Sequence, residues 1–186
     1  PIVRLERSSG GGDSVAEAAK LLSEANFPVI LSGAGVVLGG AITDCAALAE
    51  RLDAPVCSGY QHNDSFPGSH PLATGPLGYN GSKAAMRLIA KADVVLALGT
   101  RLNPFSTLPC YGIEYWPEKA KIIQVDINPD RIGLTKNVAV AICGDAKLVA
   151  QQILGLLSAD AGNSGREERK TVIHQSKSAW AQELSS

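Results

Sequence analysis

Apolar residues gather in five short runs along the chain, and each run breaks off at a glycine, a serine or a carboxylate. The runs are Val29-Ile30-Leu31-Ser32-Gly33, Pro55-Val56-Cys57-Ser58-Gly59, Val94-Val95-Leu96-Ala97-Leu98-Gly99, Ile122-Ile123-Gln124-Val125-Asp126 and Ala139-Val140-Ala141-Ile142-Cys143-Gly144-Asp145. They are near-continuously apolar rather than alternating, which suits strands buried on both faces. Between several of them the period changes to that of a helix. Ser14-Val15-Ala16-Glu17 has the form of a capping box, and Val15, Ala18, Ala19 and Leu22 then make an amphipathic stripe. Ala41 to Leu52, a segment from Ser82 to Lys91 and Ala146 to Leu157 also read as helices, with Ser82 and Asp145 placed to cap the last two. Strands alternating with helices predict a doubly wound, mainly parallel α/β sheet of five to six strands, Rossmann-like, with helices on both faces.

The remaining segments read as loops and connectors. Residues 60–80 are crowded with glycine and proline, so a long functional loop is expected there. Arg101 to Pro117 carries three prolines and several aromatics, and Pro129 to Gly133 reads as a short helical turn. Residues 158–165 are small and polar, and Arg166 to Leu184 is a charged, helix-prone tail anchored by Val172, Ile173 and Trp180. Residues 1–12 read as an interdomain linker of a larger protein, 13–157 as the α/β domain, and 158–186 as a linker and helical tail.

Charge narrows the class of partner. The chain carries 17 basic and 18 acidic residues with no long run of either sign, so nothing marks a nucleic-acid or anionic-membrane surface. No apolar stretch is long enough to span a bilayer. Cys45, Cys57, Cys110 and Cys143 lack CxxC spacing and read as small core residues, which makes a reducing, cytoplasmic setting the default.

Candidate chemistry collects at the ends of the strands, where open parallel sheets hold their ligands. Gly33-x-Gly35 follows the first strand and suits either a phosphate cradle or a plain tight turn. Arg101, just past the third run, could pair with a phosphate or serve a structural salt bridge. Asp126 is placed to accept from ribose hydroxyls, and Asp145 to cap a helix. No acid ends the second run, where a dinucleotide fold would hold its ribose, so a stand-alone nucleotide-binding module is the weaker alternative. His62, Asp64 and His70 lack the spacing of a metal site and read as hydrogen-bonded loop residues, and His174 as a solvated one. No nucleophile elbow and no paired carboxylates appear. The chain is expected to hold no catalytic residue and no metal of its own.

The order Gly33-Ala-Gly35, Leu98-Gly99-Thr100-Arg101-Leu102, Ile123-Gln124-Val125-Asp126-Ile127-Asn128 and Gly144-Asp145-Ala146 resembles the central domain of thiamine-diphosphate enzymes of the acetolactate synthase type over residues 14–157. The segments 59–70, 75–86, 101–109 and 126–136, together with both ends of the chain, are similar to an acetyltransferase branch of that family. The resemblance implies two further domains in the same polypeptide, which would bind thiamine diphosphate and Mg²⁺, and a homo-oligomer when whole. It implies conversion of a sulfonated aldehyde and phosphate to acetyl phosphate and sulfite by the whole enzyme. Acetolactate synthase or 2-oxoacid decarboxylase chemistry is the alternative within the family.

It also implies FAD or ADP at the carboxyl edge, against Gly33, Gly35, Arg101, Asp126 and Asp145. Two departures argue against flavin. Val36-Val37-Leu38 stands where flavin-binding relatives follow the turn with arginine, and Leu102-Asn103-Pro104-Phe105 replaces their Phe-Asp-Asp-Arg type run. The expectation is a nucleotide pocket that is empty or vestigial.

Overall fold

Ile30 and Leu31 are neighbours in the chain and both are fully buried, yet they pack into different halves of the core. That is the signature of a strand covered on both sides, since successive side chains point to opposite faces. In the computed structural model, which describes residues 6–186, the strand is β1 (Pro28–Ser32). Pro1 to Leu5 of the expected linker lie outside the described residues.

The elements follow in the order α1 (Gly12–Glu24), β1, α2 (Ala34–Gly39), α3 (Ile42–Leu52), β2 (Val56–Ser58), β3 (Ala73–Pro76), α4 (Lys83–Ile89), β4 (Val94–Leu98), α5 (Pro104–Thr107), β5 (Lys121–Asp126), β6 (Val140–Cys143), α6 (Ala146–Leu156) and α7 (Arg166–Ser185). The six strands form one parallel sheet in the order β3-β2-β1-β4-β5-β6. Register sets Ser32 of β1 beside Leu98 of β4, and Leu98 beside Val125 of β5. The chain winds outward on one side from β1 and on the other from β4, so the connections part between their carboxyl ends and open a crevice there.

One half of the core joins Ile30, Leu96, Ile123 and Ile142 to α1, α3 and α6; the stripe Val15, Ala18, Ala19 and Leu22 is buried in it as the periodicity predicts. The other half joins Val29, Leu31, Val95 and Ile122 to Met86 and Ile89 of α4 and to Tyr115.

Four expectations are corrected. The capping box does not form: Gly11 is the N-cap of α1 without a side-chain bond, and Ser14 falls inside the first turn. The glycine run lets the helix begin early. The loop at 60–80 contains β3, a short edge strand whose Ala-Thr-Gly-Pro sequence gives little strand signal. The run at β6 is buried on alternate residues only, because it is the opposite edge, so Cys143 is exposed and not a core residue. Residues 158–165 are folded down as turns, with Ala161 fully buried. Arg51 donates to the carbonyls of Ser158, Ala159 and Ala161.

The tail α7 packs on α4, and its Arg169 is fully buried. That guanidinium donates to five backbone carbonyls, those of Asn26, Leu52, Asp53, Gly162 and Ser164. Burial lowers its pKa from the ordinary arginine value. No helix of the described residues is long and apolar enough to cross a membrane.

Candidate functional site

The turn after β1 is built on backbone contact. The Gly33 N–H donates to Leu98 O at 3.1 Å, and the Gly35 N–H donates to Gly99 O at 2.8 Å. A Cβ on Gly33 would stand 2.6 Å from Thr100 Cβ, and one on Gly35 would stand 2.7 Å from Gly99 Cα. Gly99 itself has φ of 60°, open to glycine at no steric cost. Of the two readings of this turn, the geometry supports the tight one. The glycine amides are spent inside the protein, and α2, six residues long, is too short to add a helix field.

The loop after β4 presents Arg101, which is exposed and makes no ion pair among the described residues. Its neighbour Leu102 is fully buried at φ of 53°, a strained value for a bulky residue. Two threonines hold it there. Thr100 Oγ1 accepts from the Leu102 N–H at 3.2 Å, and Thr135 Oγ1 donates to Leu102 O at 2.7 Å.

Gln124 then ties this loop to the one after β5. Buried in the strand, its Nε2 donates to Thr100 O and Arg131 O, both at 3.1 Å, while its Oε1 accepts from the Gly133 N–H at 2.9 Å. All three of these side-chain hydrogen bonds serve the site's scaffold.

Asp126 is half-buried at the end of β5, and its Oδ1 accepts from the Asn128 N–H at 2.9 Å. Asp145 is buried, and its Oδ1 caps α6 by accepting from the Lys147 and Leu148 N–H groups. The capping role read from the sequence is therefore present. So is the cap at Ser82, whose hydroxyl accepts from the Ala85 N–H.

Together these loops enclose a cavity of about 610 Å³ at the carboxyl edge of the sheet. Gly35, Arg101, Asp126 and Asp145 line it; Gly33 does not, being packed behind Thr100. Arg7 and Arg131 add two cations that the sequence reading had not placed there. With three arginines against two aspartates, the wall carries one net positive charge and favours an anionic ligand. Asn103 also lines the cavity, and its buried Oδ1 has no hydrogen-bond partner among the described residues. These donors and acceptors are of the kinds that meet phosphate and hydroxyl groups.

They do not fit thiamine diphosphate with Mg²⁺. No three His, Cys, Asp or Glu side chains cluster for a metal among the described residues, and the Gly144-Asp145 carboxylate is committed to a helix cap. His70 Nδ1 accepts from the Leu72 N–H, and Nε2 lies 3.1 Å from Glu50 Oε1; His62 Nδ1 stands 3.9 Å from Asp64. His70 is a hydrogen-bonded loop residue, as the spacing suggested; the His62 side chain makes no hydrogen bond among the described residues and lines the cavity instead. His174 is exposed on α7.

Groups buried near the site are inert as nucleophiles. Burial pushes the Cys45 and Cys57 thiols up to about 12, so neither is a thiolate at neutral pH. Burial also pushes Tyr115 up to about 12, and its hydroxyl donates to Ser106 O at 3.0 Å, bracing one cavity wall.

The family model for the central domain of thiamine pyrophosphate enzymes matches residues 15–153. The chain is 74% identical over 185 residues to the sulfoacetaldehyde acetyltransferase of Roseovarius nubinhibens, covering 100% of this chain and 31% of that protein. It is 65% identical over 184 residues to that of Rhodobacter capsulatus, covering 99% and 31%. It is 35% identical over 143 residues to the acetolactate synthase of Mycobacterium bovis, covering 77% and 23%. Among solved structures, benzoylformate decarboxylase from Polynucleobacter necessarius superposes with a TM-score of 0.71 at 26% identity, covering 89% of this chain and 30% of that one. The chain thus spans about a third of the length of the curated acetyltransferases it matches. It belongs to the family of thiamine pyrophosphate enzyme central domains.

Proposed function

We propose that this chain is the central domain of a sulfoacetaldehyde acetyltransferase. The observation that carries the proposal is its 74% identity, over 185 residues, to a relative of that name whose match covers 100% of this chain. On this reading the complete polypeptide converts sulfoacetaldehyde and phosphate to acetyl phosphate and sulfite. Thiamine diphosphate, when bound with Mg²⁺ between the other domains, stabilises the carbanion the reaction needs. The complete enzyme is a cytoplasmic homo-oligomer acting in taurine breakdown.

This domain's own part is structural and ligand-binding. Its sheet braces the two domains that flank it, and its cavity takes a nucleotide diphosphate, ADP rather than FAD. Arg101 faces the phosphates as a planar cation, Gly35 lets the chain pass close, and Asp126 accepts from ribose hydroxyls. Asp145 shapes the wall while capping α6, and Gly33 supports the turn from behind.

The test is an assay of the full-length protein with sulfoacetaldehyde, phosphate, thiamine diphosphate and Mg²⁺. Sulfite and acetyl phosphate in equal amounts are expected. Consumption of pyruvate to acetolactate instead would move the protein to the synthase branch. The 186-residue chain alone is expected to be inactive and to give no saturable heat with thiamine diphosphate and Mg²⁺.

A further inference from the structure

The segment that leads into α1 lies across the sheet's carboxyl edge, far in sequence from what it touches. Ser8 O accepts from the Asp145 N–H at 2.7 Å, and Ser8 Oγ donates to Cys143 O at 3.5 Å. Two glycines allow that approach. A Cβ on Gly10 would stand 2.6 Å from Ile142 Cγ2, and one on Gly144 would stand 2.8 Å from the Gly10 nitrogen. The strap is thereby fixed at Ser8–Gly10, and Arg7, one residue outward, reaches over the cavity rim.

There its Nη1 donates to Gly39 O at 3.0 Å and stands 3.6 Å from Asp145 Oδ2. The contact spans the end of α2 and the start of α6, closing the rim between them. Asp145 is divided between two tasks: Oδ1 holds the α6 cap, and Oδ2 faces Arg7. A guanidinium has five N–H donors in a fixed fork, and a single hydrogen bond engages this one among the described residues. The Arg7 side chain is 54% exposed and lines the same cavity as Arg101 and Arg131.

We infer that Arg7 is a ligand-binding residue, and that residues 6–10 form a strap held down more firmly when a diphosphate-bearing ligand occupies the cavity. This rests on the reading of the cavity as a nucleotide site. The ligand's phosphates supply the acceptors that Arg7's spare donors lack. By linkage, whatever binding gains from the closed strap, the strap gains from binding.

The experiment uses ADP as probe on the 186-residue chain, titrated by calorimetry with wild type, Arg7→Ala, Arg7→Lys and Arg101→Ala. Arg7→Ala should weaken ADP binding about tenfold or more, the lower end for a hydrogen bond to a charged group, and Arg7→Lys should restore part of it. ADP should also slow tryptic cleavage of the Arg7–Ser8 bond and slow hydrogen exchange at the Ser8 and Gly10 amides. ADP binding that Arg7→Ala leaves unchanged while Arg101→Ala abolishes it would overturn the strap and keep the cavity. Equal cleavage with and without saturating ADP would do the same. No saturable binding by wild type would overturn both readings.

Discussion

Arg101 and Arg169 carry the same group into opposite surroundings. Arg169 is sealed in the core with all its donors on backbone carbonyls, whereas Arg101 stands exposed at the cavity without an ion pair among the described residues. A buried cation must be paired or fully hydrogen-bonded, so Arg169's partners fix its role as structural. A cation held out on a strained, braced loop stabilises nothing there. The region under α7 is thus closed to chemistry, and the carboxyl edge is open to it.

The sharpest way to break this contrast is Arg169→Met. It leaves five carbonyls without their donor and should cost about 3–5 kcal/mol, the scale for breaking a buried charged network. Urea denaturation would read the loss, and ADP affinity of the folded protein should not move. Arg101→Ala should show the converse. Its unfolding midpoint should stay within about 0.5 kcal/mol of wild type, as for exposed sites, while ADP binding weakens by about 1.5–3 kcal/mol. An arginine whose removal moved both quantities equally would erase the distinction.

Asp145→Ala sits between the two, since that carboxylate both caps and lines the cavity. Loss of the α6 cap should cost about 1 kcal/mol in thermal unfolding, with weaker ADP binding alongside.

The smallest effect concerns the tail's outer end. Glu183 bonds Lys83 at 2.6 Å and Arg87 at 2.7 Å, and these hydrogen bonds lower its pKa below the ordinary 4.5. A depressed carboxylate stabilises the fold above its unfolded pKa and loses that contribution as pH falls through the folded one. Docking of α7 on α4 should therefore slacken only below about pH 4.5, seen as a change in Trp180 fluorescence, and Glu183→Gln should remove the dependence.

The contrast also marks where the sequence could be read. Runs buried on both faces announced β1, β2, β4 and β5, and the ends of those strands located Arg101 and Asp126 before any coordinates did. The edge strand β3 escaped because a half-exposed Ala-Thr-Gly-Pro carries no apolar continuity. Arg169 escaped because α7 has almost no apolar stripe, so one buried arginine among charged neighbours looks solvated. Gln124 did leave a trace, as the one polar residue inside an apolar run, but its partners lie on two loops that only the fold brings together. Arg7 left none. Its place over the cavity depends on a crossing more than 30 residues long that no local pattern encodes.

Gln124 sets a ruler. With its amide bonded to both loops at once, the arginine beyond β4 and the carboxylate beyond β5 cannot drift apart independently. On the nucleotide reading, the spacing between the groups that meet a ligand's anionic and hydroxyl-bearing ends is thus set by one strand residue, and ligand length becomes a criterion alongside ligand chemistry.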